Sequence, residues 1–409
     1  MQESLKTEII SLVETLKSSG KTGLAQAIEE NWSKNCLEYS KEIKYTKKNI
    51  KPLEKIMVCS LEIEFTRLGY SKEKNAQIIK YLEKNRFLQT APHISPALKP
   101  RYFFIDWLTS LSLTKKDFYP VAMFSGVPFS NKTRPGRLCS EKKEVNLMPS
   151  NMQDELVYRS IVPEKMIEVI NDLPKEIQKI LPKAKNGDSY TKWALASSKH
   201  LEQKFLNYNA IFFDFNEVIA NYILEAIKDK EHPVSLILFS KKECNIVSKL
   251  FKNEIFFYGT SQKGKYKVME SFALKDGYLE SATRKILLTQ ENITDEIKNN
   301  RLCPGLPLGF LIFSFLNNFV CAGSFAQTEY LPIYREKFNI IPSFKKYNIQ
   351  NKSAGVLTTG SFPEDINLHP LDLYMGKKFK PNKKMLFGEA ILAIKDVLLH
   401  QNYSNNMVK

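Results

Sequence analysis

Apolar residues recur at helical spacing through the first 85 positions: Ile9, Ile10, Leu12, Val13 and Leu16 form one stripe, and the run from Leu61 to Leu82 repeats it. This pattern predicts an N-terminal helical lobe over residues 1–85. Between the two runs, the lysine-rich stretch Lys41 to Lys55 reads as a solvated loop. From Arg86 the texture changes: APHISPALKP leads into an aromatic-rich helix, and Pro120 to Phe124 forms an apolar strand before a turn with Ser125, Gly126 and Pro128. Residues 163–182 read as two short helices opened by Pro163 and Pro174. The segments NAIFFDF, NEVIANYILEAIKDK, PVSLILFS, KKECNIVSKLFK and EIFFYG then alternate as strand, helix, strand, helix, strand.

Such an alternation predicts a parallel sheet with right-handed crossovers, whose ligands gather at the carboxyl ends of its strands. After Gly259 the K-G-K and D-G turns predict a small antiparallel appendage. Leu306 to Val320 reads as a buried helix, Phe338 to Phe344 as a strand or loop, and Phe387 to His400 as a C-terminal helix. The expected fold class is α/β: a Rossmann-like, mostly parallel sheet with an N-terminal helical lobe and a small antiparallel appendage. Its core spans residues 86–345 with a helical insertion near 151–205, and a C-terminal loop and helix occupy 346–409.

Charge and targeting narrow the function classes. No charged residue lies between Arg301 and Glu329, yet Pro304, Gly305, Pro307, Gly309 and the Asn317-Asn318 pair interrupt the apolar run, which favours a core helix over a membrane span. The opening MQESLKTEIISLVETL carries acids and lacks a signal peptide's apolar core, and the six scattered cysteines contain no C-x-x-C pair. The expected compartment is the cytoplasm. No metal-ligand spacing is written among the five histidines, so no metal site is assigned. Lys and Arg number 60 against 44 Asp and Glu, a formal +16, but only nine of the 60 are Arg. Base-edge and bidentate phosphate recognition lean on the guanidinium fork, so this excess reads first as a solvated basic surface.

Neither G-x-x-x-x-G-K-[ST] nor G-x-G-x-x-G occurs, which disfavours the ordinary P-loop and dinucleotide sites. Candidate chemistry falls instead on two loops. One offers Thr90 and His93 before a helix; the other offers Ser125, Ser130, Asn131, Lys132, Arg134 and Arg137, a set suited to clamping phosphate or carboxylate. Asp214 and Glu217 stand where a predicted strand hands over to its helix, as ligand-orienting carboxylates or as helix caps. Past the apolar segment, Gln327, Glu329 and Tyr330 crowd behind Gly323 as a further ligand-binding edge.

In the order of these pieces the chain resembles the bacillithiol-biosynthesis cysteine-adding enzymes. The matching stretches are Gln89 to Pro96, Pro120 to Phe124, the aromatic strand and basic turn Phe256 to Lys267, and Gly323 to Tyr330 after Leu302 to Leu308. Thr90-Ala91-Pro92-His93 replaces that family's T-G-x-Q opening, and Gln327 stands at its glutamate. The resemblance implies an α/β small-molecule enzyme that binds nucleotide, without implying cysteine as the substrate. The expectation is a biosynthetic ligase or transferase joining an amino-acid-like group to a small polar acceptor. His93, Asp214 and Glu329 are its catalytic candidates, and Thr90, Ser125, Asn131, Arg134, Arg137, Gln327 and Tyr330 its substrate- and anion-binding ones. The cofactor is open, with ATP or ADP and magnesium as the class to test. The competing reading is a non-catalytic, basic nucleic-acid-binding or interaction protein, drawn from lysines interleaved with aromatics in FFYGTSQKGKYK.

Overall fold

The structure, a computed structural model, describes residues 2–43, 51–203, 205–206, 208–347 and 356–400. Of the Lys41 to Lys55 loop, residues 44–50 lie outside the described residues. Twelve strands occur among the described residues: β1 (Phe87–Gln89), β2 (Phe118–Met123), β3 (Arg137–Cys139), β4 (Glu144–Asn146), β5 (Asn209–Asp214), β6 (Phe257–Lys263), β7 (Tyr266–Lys275), β8 (Tyr278–Glu280), β9 (Lys285–Leu287), β10 (Leu302–Pro304), β11 (Val320–Gly323) and β12 (Val356–Leu357). Five of them form one sheet in the order β12-β11-β1-β2-β5, and every pairing in it is parallel. Five others form a separate antiparallel sheet in the order β10-β6-β7-β8-β9. The chain is therefore a mixed α/β protein. Its apolar core is continuous from Ile9 to Leu398 and includes Val121 and Phe212 of the parallel sheet beside Phe257 and Phe272 of the antiparallel one.

The N-terminal helices and the antiparallel hairpins follow their sequence signals. Ile9, Leu12, Val13 and Leu16 are buried at the expected spacing, whereas Ile10, one residue off that stripe, is 47 % exposed. Gly264 and Gly277 take positive φ at the tips of the β6–β7 and β7–β8 hairpins, as the K-G-K and D-G turns require.

Several elements differ from expectation, among them the C-terminal helix, which is two short ones, Phe387–Leu392 and Lys395–His400. PVSLILF is a helix, Pro233–Phe239, and not a strand. Pro233 sits at its first position with φ preset, His232 Nδ1 accepts the Val234 N–H, and Val234, Ile237 and Leu238 are buried at helical spacing. A short, wholly apolar run has no periodicity to separate the two states. With that strand gone, β6 joins the antiparallel sheet, so the parallel sheet draws its strands from distant segments rather than one β-α-β-α-β run. Phe338 lies inside the helix Gln327–Ile340, whose buried Leu331, Tyr334 and Phe338 form the inner stripe. The segment after Pro304 starts helical at Leu306–Phe310, widens into a π-turn over Leu311–Leu316 and ends in strand β11. Asn318 at φ 57° and the bond from Asn317 Nδ2 to the Ile312 carbonyl end that helix. Among the described residues no helix is long and apolar enough to cross a membrane.

Between the helices Pro100–Ser110 and Tyr190–Gln203 lie two carboxyls, Asp106 and Glu202, both fully buried. The Tyr119 hydroxyl donates to Asp106 Oδ1 at 2.8 Å, but Asp106 Oδ2 and both oxygens of Glu202 lack a donor. A proton held between the two carboxyls supplies one. Burial pushes Asp106 up to about 7, against the hydrogen bonds from Glu202 and Tyr119, and pushes Glu202 well above the usual carboxylate range, with Asp106 adding to the rise. In the unfolded chain both groups ionise near roughly 4. Stability is therefore full below that value and falls as pH rises toward about 7 through Asp106, by about 1.4 kcal/mol per unit for each proton retained only by the native state. Glu202→Gln, whose amide replaces the shared proton, is expected to melt no lower than the parent at pH 8 and to lose that parity at pH 5. A variant less stable at pH 8 than at pH 5, relative to the parent, contradicts a shared proton.

Candidate functional site

The carboxyl ends of the five parallel strands bring most of the sequence-nominated residues to one edge. Strand order reverses between β1 and β11, since β1 leads to β2 and β5 on one side while β11 leads to β12 on the other. At that crevice Gln327 Nε2 donates to Thr90 Oγ1 at 2.8 Å, and Thr90 Oγ1 donates to the Ala322 carbonyl at 3.0 Å. A Cβ at Gly323 would stand 1.4 Å from Gln327 Oε1, so only glycine admits this side chain. Gln327 Oε1 accepts the Ser324 N–H, and Thr358 Oγ1 donates to the Gly323 carbonyl. The crevice is a closed polar lattice that pins β11 against β1 and β12.

The loop after β1 runs alongside the end of β2, where His93 pairs with Phe124 and the Ile94 N–H bonds the Phe124 carbonyl at 3.0 Å. His93 Nδ1 lies 3.0 Å from Thr133 Oγ1, which donates to Asn131 Oδ1 at 2.8 Å, so His93 and Asn131 meet through Thr133. Burial pushes His93 down to about 4, with nearby Asn131 opposing the shift, so its imidazole is neutral at physiological pH. Arg134, at φ 64°, and Arg137 both pair with Glu144 of β4. The predicted anion clamp already holds a carboxylate.

The densest charge lies at the end of β5. Asp214 caps the helix Phe215–Ala226 as its residue type allows, Oδ1 accepting the Asn216 N–H at 2.9 Å, and it also accepts the Ser125 hydroxyl at 2.8 Å. Its Oδ2 is buried without a donor. Burial, with Glu217 and Glu64 nearby, pushes Asp214 up to about 8, against Arg67 and Ser125, which identifies Oδ2 as the seat of a proton at neutrality. Glu64, fully buried on the helix Lys55–Arg67, accepts the Asp214 N–H at 2.9 Å and grips Arg67 with both oxygens, at 2.6 and 2.9 Å. Burial raises the Glu64 pKa and the Arg67 bonds oppose it; both Glu64 oxygens accept N–H donors, from Arg67 on each and from Asp214 on Oε1 as well, which favours the carboxylate and an ionic pair. Arg159, at φ 54°, forms a matching fork with Glu217 at 2.7 and 2.8 Å and extends Nη1 to the Ile297 carbonyl and Asn300.

Both forks line a cleft of about 910 Å³. Lys183, Asp188 and Lys192 add charge to its wall, and the exposed Ile63 and Ile161 add apolar surface. The cleft opens beside the first turn of the helix that follows β5, at the carboxyl end of an edge strand of the parallel sheet. Among the described residues no group of three His, Cys, Asp or Glu side chains is placed to hold a metal ion. Comparison with family models, with curated proteins and with solved structures returns no match for this chain.

Of the nominated residues, Thr90 and Gln327 meet, Ser125 and Asp214 meet, and Arg134 and Arg137 share Glu144. Glu329 stands apart: its Oε1 accepts the Leu24 N–H at 2.7 Å and caps the helix Thr22–Asn31. Tyr330 is buried between the rings of Phe310 and Tyr334. Glu64, Arg67 and Arg159 were not nominated. The available signal is Glu64 itself, a charge on an apolar stripe three residues after Leu61 and seven after Met57. Removing Arg67 strands the Glu64 carboxylate in the core, so Arg67→Ala is expected to cost about 3 kcal/mol in chemical denaturation. Adding Glu64→Gln, which keeps an acceptor for Asp214 but removes the charge, is expected to recover part of that loss. Additive losses would mean that Glu64 was not carrying an unpaired charge.

Proposed function

We propose that the chain is a cytoplasmic small-molecule enzyme, a ligase or transferase of biosynthetic type that joins an amino-acid-like group to a small polar acceptor in the 910 Å³ cleft. The carrying observation is the position of that cleft at the carboxyl end of β5, with two guanidinium forks in its wall. Its volume suits a small ligand. Arg67 and Arg159 each spend one edge on a carboxylate; Arg159 also commits Nη1 to Ile297 and Asn300, while Arg67 Nη1 reaches only Ser189 and Thr191 at 3.4 Å, so Arg67 has the donors to spare, and Lys183 and Lys192 add positive charge for an anionic group. Asp188 and Glu217 are acceptors for an amine. Asp214, fully buried, is a positioning residue: its proton-bearing carboxyl fixes Ser125 and the first turn that carries Glu217. The resemblance to the bacillithiol-biosynthesis cysteine-adding enzymes supports the same class, with ATP or ADP and magnesium as the nucleotide to test.

A nucleotide or amino acid bound to the native state raises the melting temperature according to its excess over Kd. Melts with ATP, ADP or AMP plus magnesium, with and without a mixture of amino acids, are expected to show a ligand-specific rise of several degrees. Lys183→Glu/Lys192→Glu, both exposed positions, should keep the unliganded melt and lose most of that rise. No rise with any mixture, or an undiminished rise in the variant, removes this reading.

The second reading, a non-catalytic basic protein that binds nucleic acid, is favoured by the β6–β7 hairpin. There Tyr266 is 45 % exposed, with Lys265 Nζ 5.5 Å from its ring and Lys263 opposite it in the ladder. It predicts single-strand affinity that falls steeply between about 50 and 200 mM salt and drops with Tyr266→Ala. Affinity that is absent or indifferent to salt eliminates it.

A further inference from the structure

A second groove, of about 530 Å³, shares no lining residue with the cleft. Leu111 and Leu113, ahead of β2, and Phe205 and Leu206, ahead of β5, place it toward the amino ends of those strands. These four residues and Trp107 make an apolar bed. The other wall is the strap Lys377 to Lys384, KKFKPNKK, with five lysines and no acid in eight residues.

The strap is held in place along its length. Lys377 pairs with Asp365 at 2.5 Å and Glu141 at 2.7 Å, the Phe379 ring packs on Phe362 at 4.9 Å, and the Lys383 carbonyl accepts the Leu37 N–H at 3.2 Å. Lys380, Lys383 and Lys384 line the groove, are exposed, and form no ion pair among the described residues. Some lysines elsewhere on the surface do pair, among them Lys17 with Glu29, Lys165 with Glu168, Lys228 with Glu225 and Lys275 with Glu280. Among the described residues no acid lines the groove. Positive charge is thus fixed on one side of an apolar bed by a strap whose own anchors lie outside the groove.

The geometry points to this groove as a binding site for an amphipathic anion, an acyl-type carboxylate whose headgroup meets Lys380, Lys383 and Lys384 and whose apolar body lies against Leu111, Leu113 and Phe205. A bare inorganic anion would leave the apolar bed unused. A nucleic acid would need a longer track of cations and would leave its backbone facing apolar side chains. The volume suits one small ligand, since pockets for such ligands span roughly 300–1,000 Å³.

The test is calorimetric titration of the full chain at physiological salt with dodecanoate below its micellar concentration, beside dodecanol, inorganic phosphate and a single-stranded oligonucleotide. Saturable one-to-one binding of dodecanoate is expected, with about tenfold or greater loss in Lys380→Glu/Lys383→Glu/Lys384→Glu, as three lost ion pairs of ordinary strength imply. The melting temperature of that variant verifies that it folds; if it does not fold, Lys383→Gln/Lys384→Gln replaces it with a smaller loss expected. Dodecanol binding as tightly as dodecanoate would overturn the proposal, because charge would then play no part. So would equal affinity in the folded variant, non-saturating uptake, or binding of phosphate or the oligonucleotide with none of dodecanoate.

Discussion

Everything at the end of β5 depends on one constraint: charge that leaves water must be paired. Glu64, Asp214 and Glu217 are all buried within one region, and three ionised carboxylates there would repel one another in a poorly screened environment. Two guanidinium forks and one proton resolve the conflict. Arg67 and Arg159 each take both oxygens of one carboxylate, and Asp214, which has no fork, keeps its proton. Because Glu64 also accepts the backbone N–H of Asp214, the same network couples the N-terminal helix Lys55–Arg67 to the last residue of the strand. Arg159 couples the other flank, reaching Ile297 and Asn300 at the end of the helix Gln290–Lys298.

That economy of charge shapes the cleft. A wall built from ion pairs is rigid yet keeps some hydrogen-bonding capacity: of a guanidinium's five N–H donors the fork occupies two, and Arg159 commits its Nη1 pair to Ile297 and Asn300 as well. Arg159 keeps positive φ, a conformation that costs a non-glycine residue energy, and the surrounding bonds hold it there. The crevice between β1 and β11 is built differently: Gln327, Thr90, Ser324 and Thr358 satisfy one another and stitch the strands together. The switch-point crevice is used here for cohesion, and the carboxyl end of the edge strand β5 opens to solvent.

The sequence discloses local structure better than pairing. Pro163, Pro174, Asp214 and the glycines of the hairpins mark real boundaries, because capping and φ preference act within a few residues. PVSLILF, an all-apolar run, fits a buried strand or a buried helix, and Pro233 with the cap at His232 decides between them. The parallel sheet was correctly expected, but its order could not be read: β1, β11 and β12 are neighbours although more than 200 residues separate β1 from β11. At the site, Thr90, Ser125, Asp214 and Gln327 were visible because they follow apolar strands. Arg67 and Arg159 were not, since an arginine in an exposed helix turn and one that forks a buried glutamate look alike until the fold brings Glu64 and Glu217 to them.

The division of labour between arginine and lysine ties these observations together. Six of the nine arginines, Arg67, Arg134, Arg137, Arg159, Arg284 and Arg301, are in ion pairs with carboxylates, and buried Arg86 donates to the carbonyls of Glu83, Asn317 and Lys51. The planar fork that recognises a ligand's phosphate serves equally well to hold two segments of the chain together, and here it does the latter. The +16 excess is therefore carried by lysine, a flexible point charge that organises little unless its backbone is anchored. Most of that excess acts as a diffuse field around the molecule. It becomes local where the backbone under several lysines is anchored beside apolar surface, as in the strap from Lys377 to Lys384, or where lysines stand beside an aromatic ring, as at Tyr266. Net charge alone thus says little about a partner; the anchored subset of it says where a partner would touch.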